Sequence, residues 1–247
     1  MRKLFLKIAL TLLLPGMVFA ASGGVPLIQA NNDIADQASL QAGAKLFVNY
    51  CMGCHSAQYV RFERVGRDLG LTEEELLENL MFTAKKVGET MTIAMDKDDG
   101  KKWFGVTPPD LSVIARARGT DWLYTYLLSF YLDSSRPWGV NNLVFKDVGM
   151  PHVLWERQGW QKPFYETVTD EDGNSHQVIK KLVVDKADEA KAEQYRKEMR
   201  DLVNFLEYIG EPAKLERRAL GWKVILFLFI FLGFAYALKK EYWRDIH

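Results

Sequence analysis

Two thiols and a histidine stand together in the run Cys51-Met52-Gly53-Cys54-His55. Two cysteines at this spacing can each add to one vinyl group of a single porphyrin. A histidine directly after the second thiol is then placed to ligate the iron from one face. This C-x-x-C-H pattern is the attachment signature of a c-type haem. The sequence therefore predicts one covalent haem c, attached through Cys51 and Cys54 and ligated by His55.

Two other interpretations of the cysteine pair fit the sequence less well. A structural zinc site normally has four protein ligands. The chain has only these two cysteines, and its histidines besides His55 are His152, His176 and His247. A redox-active dithiol would be expected in a thioredoxin-like βαβ context, and the sequence around residue 51 does not predict one.

A second axial ligand is needed for a low-spin electron carrier, and a methionine thioether raises the reduction potential. After residue 20 the chain offers Met52, Met81, Met91, Met95, Met150 and Met199. The first lies inside the attachment loop, and those at positions 81 and 199 lie in predicted helices, where methionine usually fills a core. Met150 lies in a Gly-Met-Pro loop, whose proline stiffens the backbone. Met95 and His152 remain alternatives.

The first 20 residues have the pattern of a secretory signal peptide. An apolar run over residues 8–14 precedes a small-residue exit at Ala20, and the positive head consists of Arg2, Lys3 and Lys7. A retained anchor is the alternative, but the run is short and Pro15-Gly16 interrupts it. Export implies an oxidising compartment. Because haem occupies both cysteines, we expect no disulfide.

The charge of the exported chain bears on its partners. Basic and acidic residues number 32 each, and removal of the signal peptide leaves 29 basic residues against 32 acidic ones. A mildly acidic chain argues against nucleic-acid binding and allows basic protein partners.

A second membrane signal lies near the end of the chain. Residues 219–238 contain a single charge, Lys223, and a helix of this length spans about 30 Å, the thickness of the bilayer's hydrocarbon core. A buried core helix is the alternative. We predict a transmembrane helix over 219–238, preceded by a short solvated connector at 214–218. The signal peptide then places residues 21–218 in the periplasm and residues 239–247 in the cytoplasm.

The remaining elements are predicted to be mainly helical. Residues 41–50 form a helix that leads directly into the haem motif, and Thr72-Glu73-Glu74-Glu75 is a capping box that opens another. A further helix is predicted from Thr120-Asp121 to Tyr131. Alternating residues on both sides of Asp172-Gly173 predict a β-hairpin within 162–185. A long helix over about 186–209 closes the domain.

Two stretches resemble class I cytochromes c. Gly43 and Phe47 precede the haem motif at the spacing of that family's first helix, and Asp201, Phe205 and Tyr208 match its closing helix. The resemblance implies that the two helices cross at Gly43, since glycine has no side chain to hold them apart. The predicted fold class is mainly α, a class I cytochrome c domain with a β-hairpin excursion and one C-terminal transmembrane helix.

A more particular resemblance covers nearly the whole exported chain. Residues 107–112, residues 115–118, the late Gly149-Met150-Pro151 and the single C-terminal anchor together resemble cytochrome c1 of the bacterial cytochrome bc complex. This resemblance implies that Met150 is the second iron ligand and that Arg118 pairs with a haem propionate. It also implies that Pro108 and Pro109 wall the histidine side, where one of their carbonyls would accept the His55 Nδ1 proton.

The same resemblance implies a function in a quinol–cytochrome c reductase. The chain would accept an electron from a Rieske iron–sulfur protein and pass it to a soluble cytochrome c, with cytochrome b and membrane lipid as its other partners. No side chain is expected to act as a catalytic acid or base. One alternative is another membrane-anchored monohaem cytochrome that serves a terminal oxidase or reductase. The other is a five-coordinate haem enzyme or gas sensor.

Overall fold

The structure of the protein is a computed structural model that describes residues 25–169, 173–184 and 188–246. The predicted signal peptide, residues 1–20, lies outside the described residues. Roughly half of the chain is helical. The helices are α1 (Gln37–Leu46), α2 (Phe62–Leu69), α3 (Glu73–Asn79), α4 (Lys97–Phe104), α5 (Ile114–Arg118), α6 (Thr120–Leu128), α7 (Trp155–Gln158), α8 (Glu189–Gly210) and α9 (Lys214–Tyr242).

Six short strands form three separate antiparallel pairs in the described part of the chain. They are β1 (Ala57–Arg61) with β2 (Thr90–Met91), β3 (Phe130–Leu132) with β4 (Val140–Asn142), and β5 (Gln161–Thr169) with β6 (Ser175–Val184). No larger sheet joins these described strands, so the main apolar core lies between helices, chiefly α1, α2, α6 and α8.

The crossing of α1 and α8 organises this core. A Cβ atom added at Gly43 would lie 2.0 Å from the backbone oxygen of Asp201 and 2.7 Å from Phe205 Cβ. Only glycine allows the two backbones to approach so closely. One helical turn further on, the rings of Phe47 and Phe205 pack with centroids 5.5 Å apart. The close approach predicted at Gly43 is present.

The attachment motif comes directly after α1 in the chain. α1 continues into one π-helical turn, Phe47–Cys51, and the backbone N–H groups of Cys54 and His55 then donate to the carbonyl of Cys51, at 3.0 and 2.9 Å. The motif is therefore held as a tight turn at the end of a helix that is buried against α8.

The capping box predicted at the start of α3 is also present. The Thr72 hydroxyl accepts from the Glu75 N–H at 3.2 Å, and the Glu75 carboxylate accepts from the Thr72 N–H at 2.8 Å. These two bonds satisfy backbone donors that a helix N-terminus otherwise leaves unpaired.

The helix predicted from Thr120 to Tyr131 is too long at its C-terminal end. α6 ends at Leu128, and Phe130–Leu132 form β3, which pairs with β4 in the register Phe130 to Asn142 and Leu132 to Val140. Aromatic and apolar residues suit a strand as well as a buried helix. Cross-strand pairing therefore decides the conformation of this segment. The local sequence pattern does not reveal that pairing.

The hairpin predicted around Asp172-Gly173 is present and longer than expected. β5 and β6 pair from Gln161 with Val184 to Thr169 with Ser175, while residues 170–172 lie outside the described residues. The closing helix begins later than predicted, at Glu189. The Asp188 side chain caps it by accepting from the N–H groups of Ala190 and Lys191.

The C-terminal helix differs from the expectation at its start. Residues 214–218, predicted as a solvated connector, form the first turn of α9. They continue the helix because Lys214 pairs with Glu207, and Arg217 with Glu211, across the bend after α8. In the described residues α9 is the one helix long and apolar enough to cross a membrane, and none of its apolar stretch is buried. It is therefore not a core helix.

Candidate cofactor-binding site

A cleft lies between the attachment motif and the loop that carries Met150. It encloses about 470 Å³ of empty space, part of it open to solvent. Cys54 and His55 line it from the motif and Met150 lines it from the loop; the other lining residues are Tyr50, Phe104, Val106, Pro108, Pro109, Gly149, Pro151 and Val153. The sequence-predicted residues Cys54, His55, Pro109 and Met150 thus share one largely apolar cleft.

His55 is fixed on its side of the cleft by a backbone carbonyl. Its Nδ1 lies 2.7 Å from the oxygen of Pro109, one of the two proline carbonyls that the family resemblance implies for this contact. Burial lowers the pKa of the imidazole, although the Pro109 bond and the Asp110 carboxylate act in the opposite direction. The ring is therefore neutral at pH 7 with Nδ1 as the donor, which leaves the Nε2 lone pair available to a metal.

The segment that carries Pro109 is itself tied to the motif. Leu111 N–H donates to the carbonyl of Ser56 at 2.8 Å. The Asp110 carboxylate accepts from the Gln58 N–H at 2.9 Å and from the Ser112 N–H at 2.8 Å. These bonds hold the proline carbonyl at the histidine and so determine the orientation of the ring.

No disulfide joins Cys51 and Cys54. Burial raises the pKa of the Cys51 thiol to about 12, with a smaller contribution from the neighbouring Cys54. Burial also raises the pKa of Cys54. A redox dithiol needs a thiol whose pKa is lowered, so this environment does not suit that alternative. No group of three or more metal-ligating side chains occurs among the described residues, and the pair also lacks the partners of a zinc site.

Met150 is held in its loop by contacts on both sides. A Cβ atom added at Gly149 would lie 2.9 Å from Val106 Cγ2 and 3.3 Å from the carbonyl oxygen of Phe104, so the loop packs closely on the end of α4. The Tyr126 hydroxyl donates to Met150 Sδ at 3.4 Å. The thioether is therefore positioned at the wall of the cleft and not in the main core.

The two alternative ligands lie elsewhere. Met95 lines a second, more polar cleft on the other side of Pro108 and Pro109. His152 is buried and stacks on the ring of Phe130 with centroids 4.8 Å apart, and it does not line the cleft that contains His55. Of the three side chains considered, Met150 alone shares that cleft with His55.

Arg118 packs on aromatic rings of the methionine side. Its guanidinium carbon is 5.0 Å from the Trp122 ring centroid and 5.8 Å from that of Phe145, and the side chain does not line the cleft. Trp122 in turn stacks on Tyr126, with centroids 5.2 Å apart. The structure thus connects Arg118 to the methionine side through two aromatic rings, and its pairing with a propionate stays a prediction.

Sequence reasoning missed Tyr50, Tyr126 and Arg157. Tyr126 follows Trp122 by four residues in a predicted helix, so their stacking on one face could have been expected. Tyr50 directly precedes the motif. Arg157, which donates to the Tyr50 hydroxyl at 2.9 Å, carries no local signal because its partners are distant in sequence.

Comparison with known proteins identifies the family. Residues 98–246 match the model of the cytochrome C1 family. The chain is 50% identical to cytochrome c1 of Allochromatium vinosum over 100% of both chains. These matches show that the chain belongs to the cytochrome c1 family.

Two further proteins and one solved structure are also similar to this chain. A protein of Nitrosomonas europaea named ammonia monooxygenase gamma subunit is 49% identical over 98% of both chains. Cytochrome c1 of Rhodospirillum rubrum is 28% identical over 85% of this chain and 83% of its own. A chain of a hyperthermophilic respiratory complex III aligns over 99% of this chain and 97% of its own, at 13% identity and a TM-score of 0.47.

The residues present fit the haem c that the family binds. The cleft is lined by two neutral donors, the His55 imidazole and the Met150 thioether, and its other walls are mostly apolar. This donor set suits a haem iron. Cys51 and Cys54 are free for thioether bonds. The hydrogen bond from His55 to Pro109 leaves the histidine in the tautomer that ligation requires.

Proposed function

We propose that this chain is the haem-bearing electron-transfer subunit of a quinol–cytochrome c reductase. It accepts an electron from a Rieske iron–sulfur protein and passes it to a soluble cytochrome c. The observation that carries the proposal is the shared cleft of His55 and Met150 directly beside the attachment thiol of Cys54. Bound haem c supplies one-electron chemistry between Fe(II) and Fe(III).

The side chains of the cleft have supporting roles in this proposal. Cys51 and Cys54 hold the porphyrin through thioether bonds. The Pro109 carbonyl holds the ring of His55, and the Tyr126 hydroxyl holds the sulfur of Met150. Arg118, on the Trp122 ring, pairs with a propionate. Pro108 and Val153 exclude water from the cleft, which favours the reduced and less charged iron.

The chain has four segments in this proposal. Residues 1–20 direct export, residues 21–218 form the periplasmic haem domain, residues 219–238 cross the membrane, and residues 239–247 lie in the cytoplasm. α9 supports this arrangement because its apolar side chains are exposed along the whole described span. Cytochrome b and lipid would cover them in the membrane.

The transfer sequence can be tested in the intact complex. The complex is purified in mild detergent and its haem c is followed by absorbance after a quinol is added. We expect reduction within the turnover time, reoxidation by soluble cytochrome c, and no reduction in complexes that lack the Rieske protein. Rapid haem c reduction without the Rieske protein would contradict the proposed electron donor.

The covalent link can be tested separately. Haem held by two thioether bonds should stay with the denatured polypeptide through acid–acetone extraction. A variant with Cys51→Ala and Cys54→Ala should lose it. Haem that extracts freely from the unmodified chain would contradict attachment at these cysteines.

A second candidate function follows from the Nitrosomonas relative. Its printed name, with 49% identity to this chain, suggests an electron-transfer subunit associated with a monooxygenase. Both functions use the same haem site, so partners distinguish them. Copurification with cytochrome b and a Rieske protein supports the reductase, whereas copurification with a monooxygenase supports the second candidate.

A further inference from the structure

Arg157 connects three parts of the haem domain. Its Nε donates to the hydroxyl of Tyr50 at 2.9 Å, and its Nη1 donates to the carboxylate of Glu198 at 2.6 Å. Its guanidinium carbon also lies 5.2 Å from the centroid of the Tyr50 ring. The side chain of Arg157 is 35% exposed and that of Glu198 is 18% exposed, so water screens this group less than an open surface pair.

The three residues lie in different elements around the cleft, and of the three only Tyr50 lines it. Arg157 lies in α7, at the end of the loop that carries Met150. Tyr50 directly precedes Cys51 and lines the cleft, and Glu198 lies in α8. Arg157 therefore joins the methionine side of the cleft to the side that carries the attachment motif.

Two other contacts of the same segment stay on the methionine side, although Leu154 within it is buried in the main apolar core. His152 stacks on Phe130, and the Gln158 amide donates to the carbonyl of Leu128 at 2.8 Å. The two partners, Leu128 and Phe130, belong to α6 and β3. These two contacts shape the loop but do not tie it to the motif, and the guanidinium supplies the hydrogen bond that connects the loop to the residue before Cys51.

Arginine is suited to this connection. Its planar group presents several donors at fixed angles, so it can serve a hydroxyl and a carboxylate together while its face lies on a ring. A lysine in the same place would supply one point charge and could not reproduce that geometry. Hydrogen bonds from a charged donor are also stronger than neutral ones.

We propose that Arg157 is a positioning residue that holds the Met150 loop against the attachment segment and so keeps the thioether at the iron. This inference rests on the proposed ligation by Met150. When the Arg157 contacts are absent, the loop should open more often, and external ligands should reach the iron through the opening. The effect is on access to the sixth coordination position and not on haem attachment.

The test uses the full-length haem protein in mild detergent. Carbon monoxide binding to the reduced protein is timed in Arg157→Gln, Arg157→Lys and Tyr50→Phe. The control is Arg196→Gln, since Arg196 makes an exposed pair with Glu193 on α8 at 3.0 Å. The weak far-red sulfur-to-iron band of the oxidised protein is followed against pH in the same variants.

We expect Arg157→Gln to bind carbon monoxide about tenfold faster, because a charge-assisted hydrogen bond shifts an opening equilibrium by at least that factor. As the pH is raised, its far-red band should also disappear at a lower pH than in the unmodified protein. Arg157→Lys and Tyr50→Phe should show smaller increases, because each keeps part of the network. Adding Tyr50→Phe to Arg157→Gln should add little, since the two residues act together.

A rate in Arg157→Gln equal to that of Arg196→Gln would overturn the inference. If Arg157→Gln yields no mature protein, Arg157→Lys and Tyr50→Phe decide, and unchanged rates in both overturn it. Met150→Leu separates this inference from the proposed function. If Met150→Leu keeps the far-red band, ligation by Met150 fails. If it loses the band while the Arg157 variants behave as the control, only the role of Arg157 fails.

Discussion

The hydroxyl of Tyr126 donates to Met150 Sδ at 3.4 Å. Burial raises the pKa of that hydroxyl far above its usual value, so it remains a proton donor throughout the physiological range. A donor on the sulfur withdraws electron density from the thioether. The pair should therefore favour the reduced iron when Met150 ligates it.

Tyr126→Phe should lower the midpoint potential of the haem. The shift equals the difference in hydrogen-bond strength between the two oxidation states, so a bond of about 0.5–1.5 kcal/mol sets an upper limit of roughly 20–65 mV for one electron. Redox titration measures this shift. Tyr124→Phe is the matched control, because it removes the hydroxyl of a buried tyrosine that donates to the Arg196 carbonyl at 3.3 Å and does not line the cleft. Equal potentials in both variants would contradict the role of Tyr126.

Met150→Leu should abolish the far-red band, lower the potential and open the reduced iron to carbon monoxide. Leucine has a similar volume, so the loop should stay packed. Met95→Leu is the control, since Met95 lines the second cleft. Loss of the band in Met95→Leu and its retention in Met150→Leu would show that the ligand is misassigned.

Gly43→Ala should prevent accumulation of mature haem protein. The added Cβ would lie 2.0 Å from a backbone oxygen of α8, and moving that backbone should cost more than about 3 kcal/mol. Gly88→Ala is the control, because its Cβ would meet nothing within 4 Å. Haem staining of membrane fractions compares the two. Normal haem protein in Gly43→Ala would contradict the tight crossing of α1 and α8.

A chain that ends at Arg218 should fold, acquire haem and remain soluble. It keeps the pairs Lys214 with Glu207 and Arg217 with Glu211, and it removes an apolar stretch that is not buried in the domain. The visible spectrum should equal that of the full chain, while copurification with cytochrome b should be lost. Loss of the far-red band would show that α9 supports the haem domain.

Helix starts and turns could be predicted from the sequence where the cause is local. The capping box at Thr72 and the hairpin around Asp172-Gly173 depend on residues that are neighbours in the chain. The end of α6 could not be predicted, because Phe130–Leu132 become a strand only by pairing with Val140–Asn142. The helical state of residues 214–218 likewise depends on ion pairs made across the bend after α8.

The sequence by itself determined the prediction of haem attachment, because Cys51, Cys54 and His55 lie within five consecutive residues and the pattern needs no distant partner. The tertiary structure decided which side chains face that motif. Tyr126 meets Met150 across 24 residues of chain, and Tyr50 meets Arg157 across 107. Such contacts follow from how helices pack around the α1–α8 crossing. Periodicity predicts a buried face but cannot specify which distant residue will be packed against it.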